Sequence, residues 1–160
     1  VQRAASTGEG SDRTDVFTEP GIALKEIAVA NQILAATNGV MAYRRPLGST
    51  AATTSMEWTP NQGFPVTGIS VDAERIYFTG GVRIYWALHG DSASAVVEYE
   101  EPTIFDVASS PLNVYWTVNS NTDGLQVAWQ PHTIDPDNGG LDVTGTPDRI
   151  AADDQHVCWT

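Results

Sequence analysis

The sequence is poor in cysteine, in basic residues and in long apolar runs, and each shortage excludes a class of structure or partner. Cys158 is the only cysteine in 160 residues, so an internal disulfide is impossible. No apolar stretch approaches the ~20 residues of a membrane-spanning helix, which argues against membrane insertion. Lys25 is the only lysine, and 20 acidic residues outnumber 8 basic ones. The net charge of −12 argues against nucleic acid and anionic membranes as partners.

Helical periodicity and catalytic motifs are also scarce. Only residues 24–34 could form an amphipathic helix, and their β-branched side chains favour a strand instead. His89, His132 and His156 lie at none of the spacings that zinc sites use. No Gly-x-Ser-x-Gly motif accompanies the serines. We therefore name no catalytic residue and predict a protein that is not an enzyme.

One short β-rich pattern occurs four times along the chain. In its clearest copy, residues 103–118, alternating apolar positions lead to Ser109-Ser110-Pro111 and then to a second β-rich run, which predicts strand, turn and strand. The copies start at Ile27, Ile69, Phe105 and Ile150, with spacings of 42, 36 and 45 residues. A repeat of about 40 residues is typical of propeller blades, each built from four strands.

Each of the first three copies is followed by two further strand-like runs, separated by turn signals such as Gly80-Gly81 and Asp123-Gly124. A unit therefore reads as a four-stranded antiparallel meander. Such a sheet must stack on its neighbours to bury both of its faces. The predicted further strands, in chain order, are 40–43, 51–58, 82–86, 95–99, 125–129 and 141–143.

The copies at residues 69–79, 105–117 and 149–160 resemble a β-propeller repeat common in secreted myxobacterial proteins, whose blades open I-A-V-D-x-x-x-V-Y-W-T. Residues 27–37 carry a weaker version, so the resemblance covers roughly residues 26–160. It implies first and second strands near a central axis, and partners docked on the top or bottom face. The expected fold is all-β, a propeller-like array of three complete blades and a partial fourth. A β-sandwich or jelly roll, which also has many short strands, is the alternative.

The predicted domain organisation is a flexible arm over residues 1–15 followed by one β domain over residues 16–160. The units within that domain span approximately 26–66, 67–102, 103–147 and 148–160. The missing initial Met indicates that an upstream segment has been removed or left out. Because the fourth unit lacks strands, we expect further sequence, residues 17–23 or another chain to cover its open edge.

The aromatic side chains on the outer strands are the predicted ligand-binding or partner-binding residues: Trp58, Trp86 and Trp129. Trp116 and Trp159 hold equivalent repeat positions, which predicts that they pack between blades. Cys158 replaces a tyrosine of the other copies, so we expect a small buried strand residue. The alternative for this cysteine is a link to another chain.

The longest loop carries the predicted metal site. Its oxygen ligands would be Asp135, Asp137, Asn138 and Asp142, and calcium is the only cofactor that the sequence suggests. The competing interpretation is a solvated turn rich in Asp, Pro and Gly.

The resulting functional prediction is a non-catalytic binding module of a secreted or surface-displayed protein. It would contact a protein or a glycan through its loops and outer aromatics. The alternative is a structural subunit of a surface assembly, filament or virus coat, which would self-associate through open strand edges. The acidic, lysine-poor composition suits an extracellular or cell-surface location.

Overall fold

The structure, a computed structural model, describes residues 23–47, 65–90, 103–120, 123–132 and 139–160 in full. It describes only the backbone of four other short strands: β1 (Gln2–Arg3), β2 (Thr14–Asp15), β6 (Met56–Trp58) and β10 (Ala95–Val97). All regular structure in these residues is β, which confirms the all-β prediction. Within them, no helix is long and apolar enough to cross a membrane. Strands β1 and β2 pair with each other in an antiparallel ladder.

The first sheet is a four-stranded antiparallel meander in chain order. The segment that could have been an amphipathic helix forms its first hairpin, because a two-residue turn at Asn31-Gln32 reverses the chain. Residues Gly39 and Val40 belong to the next turn, where Gly39 adopts a positive φ of 89°. The strands are β3 (Glu26–Ala30), β4 (Ile33–Thr37), β5 (Ala42–Pro46) and β6.

The second and third sheets repeat this order of strands. Their second and third strands are joined at Gly81 and Gly124, which adopt positive φ angles of 67° and 78°. Tight hairpins favour glycine at such positions. The second sheet contains β7 (Ile69–Val71), β8 (Arg75–Gly80), β9 (Arg83–Leu88) and β10. The third contains β11 (Thr103–Ser109), β12 (Asn113–Ser120), β13 (Gly124–Pro131) and β14 (Gly139–Asp142).

The fourth sheet has two strands among the described residues, β15 (Ile150–Ala152) and β16 (Val157–Trp159). Its hairpin has the same register as the first hairpins of the other sheets. Ile69 pairs with Phe78, and Ile150 pairs with Trp159, each three positions before the turn.

One predicted repeat anchor is displaced by two residues. The register partner of Trp116 is Val107, and this pair corresponds to Ile69 with Phe78. Phe105 instead lies in a β-bulge between Ile104 and Asp106. Phe105 and Val107 both fit the alternating pattern, so alternation alone could not decide which of the two is the anchor.

Two apolar cores lie between successive sheets. The first cluster joins one face of the first sheet, including Ala35 and Ala42, to the face of the second that carries Ile69 and Phe78. The second cluster joins the opposite face of the second sheet to the third sheet around Trp116, which has no exposed surface. The second sheet therefore contributes both of its faces to apolar cores, as stacked meanders require.

The fourth sheet packs on the third through its first strand. Strand β15 contacts β11 and β12, and the Ile150 N–H donates to the Asp106 carboxylate at 3.0 Å. The prediction that Cys158 is buried is wrong, because its side chain is exposed. Trp159 is 38% exposed although its equivalent Trp116 is fully buried. The described residues place no third strand beside β16, whereas β13 covers the third sheet's equivalent positions.

Candidate functional site

The turns that join the first and second strands lie at equivalent positions in the four sheets. Three of them are closed by the side chain of the residue that starts the turn. Asp72 Oδ1 accepts the N–H groups of Glu74 and Arg75 at 2.8 and 2.7 Å. Ser110 Oγ and Asp153 Oδ1 accept the corresponding pairs of N–H groups in their own turns. Such side-chain caps accept hydrogen bonds from backbone N–H groups that have no backbone partner in a tight turn.

The turn of the first sheet is closed differently. Asn31 and Gln32 have positive φ angles of 45° and 64°, and no side-chain cap is needed for this backbone conformation. The Asn31 side chain donates to the Ala73 carbonyl at 2.8 Å. This hydrogen bond ties the first turn directly to the second.

All four turns line one open cavity of about 400 Å³, which we name the turn cavity. Its polar lining includes Asn31, Asp72, Ser110, Asp153 and Asp154. Three of these five residues are acidic, and none of the described residues that line the cavity is basic. Hydrogen bonds from the Gln155 and His156 N–H groups lower the pKa of Asp153, which therefore stays ionised at neutral pH.

Asp72 connects the turn cavity to a buried polar cluster between the second and third sheets. Its Oδ2 atom is buried, receives no hydrogen bond from the described residues, and lies 3.4 Å from His132 Nδ1. Burial lowers the pKa of His132, and the Asp72 carboxylate only partly opposes this shift. The imidazole is therefore mainly neutral at pH 7.

Arg75 fixes the rest of this cluster. Its Nη1 donates to the His132 carbonyl at 3.2 Å and to Tyr77 Oη at 3.4 Å. The guanidinium also lies 4.9 Å from the centre of the Trp86 ring, a cation–π arrangement. Burial raises the pKa of Tyr77 to about 12, so the phenol remains protonated. Arg75, Tyr77 and His132 thus form a connected polar cluster beside Asp72.

A second polar cluster lies at the other end of the first strands. Glu26, Gly68, Asp106 and Arg149 each stand four positions before the turn of their own sheet. Glu26 Oε1 lies 2.8 Å from Arg149 Nη1, and Asp106 Oδ2 lies 4.0 Å from the same nitrogen. Burial, followed by the charge of Asp106, raises the pKa of Glu26 to about 7. Burial also raises the pKa of Asp106. This cluster links the fourth sheet to the first and third.

Two of the predicted tryptophans, Trp86 and Trp129, do not line the turn cavity. Trp86 is partly buried, packs against the second core and contacts Arg75. Trp129 is partly buried on β13, where its ring lies against Gly139. Trp58 belongs to β6, and its side chain lies outside the described part of the structure.

The predicted calcium loop falls mostly outside the described residues. Asp135, Asp137 and Asn138 are among the positions that the structure does not describe. Asp142 is exposed and accepts a hydrogen bond from Gln126 Nε2 at 2.8 Å. In the described ranges, no group of three or more His, Cys, Asp or Glu side chains could hold a metal ion.

Sequence reasoning missed the turn cavity, although a signal for it was present. The repeat pattern ends in an aspartate at both Asp72 and Asp153, the residues that start and cap their turns. Comparison with family models and with curated proteins finds no match to this chain.

Proposed function

We propose that the chain is a non-catalytic binding module with the architecture of a small β-propeller. The first strands of successive sheets pack beside one another, β3 on β7, β7 on β11 and β11 on β15. Side-by-side packing of equivalent strands supports a propeller over a sandwich, in which two sheets would share one core. On this proposal the four first strands surround a central axis, and the turn cavity is one end of that axis.

The observation that carries the functional proposal is the convergence of one turn from each sheet on a single acidic cavity. A rigid scaffold that presents loops around one opening is a common design for binding sites. The cavity contains Asp72, Asp153 and Asp154, and the whole chain has a net charge of −12. We propose that it receives a cationic side chain, lysine or arginine, from a protein partner of a secreted or surface-displayed molecule.

Titration calorimetry with oligolysine and oligoarginine peptides tests this function. The double variant Asp153→Asn, Asp154→Asn keeps the turn acceptor at position 153 and removes two charges from the cavity. We expect it to bind the peptides at least about tenfold more weakly than the native chain.

The matched control is the double variant Asp123→Asn, Asp142→Asn, which removes two charges from exposed positions outside the cavity. It should keep nearly native affinity. Equal weakening by both double variants would show that the peptides respond only to net charge and would overturn the proposed site. Tight binding of a neutral oligosaccharide in place of the peptides would assign a different ligand class.

A structural role in an assembly is the second candidate, favoured by a different observation. One face of the first sheet exposes Ile27 and Val29, which are 50% and 55% accessible, and Val40 is exposed in the neighbouring turn. Apolar side chains grouped in this way often mark a contact with another protein.

A further inference from the structure

Two of the three histidines of the chain lie beside carboxylates that line the turn cavity. His132 Nδ1 lies 3.4 Å from Asp72 Oδ2, and His156 Nδ1 lies 3.3 Å from Asp153 Oδ1. The two histidines come from different places in the repeat, because His132 follows the third strand of its sheet and His156 belongs to a first turn. Two of the three acids in the described lining therefore each have an imidazole within ion-pair distance.

The first pair lies between the second and third sheets and reaches the cavity through Asp72. The backbone N–H of His132 donates to the Leu112 carbonyl at 2.9 Å, which ties the histidine to the third turn. The side chains of His132 and Asp72 are 14% and 7% exposed. Asp72 Oδ1 accepts two turn N–H groups, whereas Oδ2 accepts no hydrogen bond from the described residues. A proton gained by His132 would therefore place its charge beside this second oxygen.

The groups around His132 set the pH at which it gains that proton. Burial lowers the pKa of His132, and the charge of Asp72 raises it. Arg75 and Glu74 have smaller effects on the same pKa, the first lowering it and the second raising it. The Tyr77 ring, 5.5 Å from the imidazole ring between centroids, carries no charge at neutral pH. The net result is a histidine that becomes charged in mild acid.

The second pair lies within the fourth turn. Asp153 Oδ1 accepts the Gln155 and His156 N–H groups, so the same turn that forms the cavity wall holds carboxylate and imidazole together. Asp154, the third acid of the cavity, follows in this turn. The side chains of His156 and Asp153 are both exposed, and water therefore screens their interaction more than that of the buried pair.

We propose that the turn cavity holds its cationic ligand at neutral pH and releases it in mild acid, because protonation of these two histidines cancels the charge of two of its three acids. This inference rests on the proposed function and adds a regulation to it. The charge of histidine ordinarily changes between pH 5 and 8, whereas lysine and arginine stay charged over this range. The attraction between ligand and cavity therefore weakens as the pH falls.

Glu26 also titrates near neutral pH, but it lies at the opposite end of the first strands. Its pKa is about 7, so it too loses negative charge as the pH falls. It stands four positions before the first turn, which is roughly 13 Å along a strand. The Debye length is about 10 Å in 0.1 M salt. Binding measured at this ionic strength therefore reports mainly the histidines beside the cavity.

Titration calorimetry of an oligolysine peptide at about pH 7.5 and about pH 5 tests the regulation. The native chain should bind at least about tenfold more weakly at the lower pH. The double variant His132→Gln, His156→Gln should differ by less than about threefold between the two conditions. His89→Gln is the matched control, because His89 is the remaining histidine and is not among the residues that line the cavity. It should keep the native pH dependence.

Nuclear magnetic resonance of the native chain measures the same coupling without a substitution. If protonation weakens binding, binding must oppose protonation to the same extent. The bound peptide should therefore lower the pKa of His132 further. The ring resonances of His89 should respond to pH in the same way with and without the peptide. This measurement decides the proposal even if the double variant fails to fold.

Equal affinity of the native chain at both pH values would overturn the regulation and leave the proposed function standing. No binding at either pH would overturn the proposed function, and the regulation with it. A double variant that keeps the native pH dependence would refute the role of the two histidines. So would unfolding of the native chain at the lower pH, detected by far-UV circular dichroism, because denaturation would then replace release.

Discussion

At the scale of single residues, the cluster of Glu26, Gly68, Asp106 and Arg149 explains why one repeat position holds such different side chains. Asp106 accepts the Val107 N–H at 2.8 Å and the Ile150 N–H at 3.0 Å, so its carboxylate occupies the space between three sheets. Gly68 leaves room for it, because a Cβ at that position would collide with Asp106 Oδ1. Repeats that are equivalent in backbone therefore diverge where their side chains meet.

Gly68→Ala should destabilise the fold by about 1–3 kcal/mol, since the added methyl group meets both the Asp106 carboxylate and the Val107 nitrogen. Urea unfolding followed by tryptophan fluorescence measures this change. Gly90→Ala is the control, because a Cβ there has no atom within 4 Å. Equal effects of the two substitutions would contradict the crowded packing at Gly68.

Glu26 should make the fold less stable as the pH rises. Its pKa is about 7 in the folded chain against an ordinary value of 4.5, so between these values the folded state holds a proton that the unfolded state has released. The free energy of unfolding then has its full contribution from Glu26 below pH 4.5 and loses it as the pH rises to 7. The raised pKa of Asp106 acts in the same direction, beginning at lower pH.

Glu26→Gln removes the titrating group, so we expect a shallower fall in unfolding free energy across this pH range. Urea titrations at several pH values measure the slope. Glu74→Gln, at an exposed turn position, should leave the native slope unchanged. A slope that Glu26→Gln does not alter would show that this carboxyl is not the source of the effect.

At the scale of elements, the strands could be predicted from the sequence because the same strand pattern recurs in each unit. The Gly81 and Gly124 turns and the alternating apolar positions indicate the same meander in each unit. The bulge at Phe105 could not be predicted, since alternation records the faces of a strand and carries no mark of an inserted residue. The exposure of Cys158 could not be predicted from local sequence patterns either, because it depends on which strand lies beside β16.

The first turn offers a direct test of the backbone conformation that distinguishes it. Gln32 has a φ of 64°, a left-handed conformation that costs most side chains roughly 1 kcal/mol and glycine almost nothing. Gln32→Gly should therefore raise the unfolding free energy by about 0.5–1 kcal/mol, measured by thermal or urea denaturation.

Glu74→Gly, at the corresponding place in the second turn, is the matched control. Glu74 is outside the left-handed region, so glycine there adds only unfolded-state entropy and should lower stability by a similar amount. Changes of the same sign in both variants would contradict the difference between the two turns.

At the scale of the whole molecule, stability comes from cores shared by neighbouring sheets. Trp116 is the largest fully buried side chain in the described part of the chain and lies between the second and third sheets. Trp116→Ala should therefore cost about 3–5 kcal/mol. Leu112→Ala, at a residue that is 69% exposed, should change stability by less than about 0.5 kcal/mol. Chemical denaturation of both variants tests whether the cores between sheets carry the fold.

The turn cavity is lined by residues from all four sheets, which is why the sequence did not predict it. Asn31 and Asp72 are 41 positions apart, and Asp153 is another 81 positions along the chain. Their convergence depends on how the sheets pack. The repeat supplies equivalent turns, and the stacking of first strands brings those turns to one opening.

Paramagnetic broadening of backbone amides tests the central claim, that one turn from each sheet converges on a single cavity. A nitroxide attached to Asp154→Cys in a Cys158→Ser background places the probe on the fourth turn. We expect strong broadening at Asn31, Ala73 and Leu112, one amide from each other turn. Much weaker broadening is expected at Lys25, beyond the far end of β3. Sharp signals from any of those three turns would contradict the convergence on which the proposed function depends.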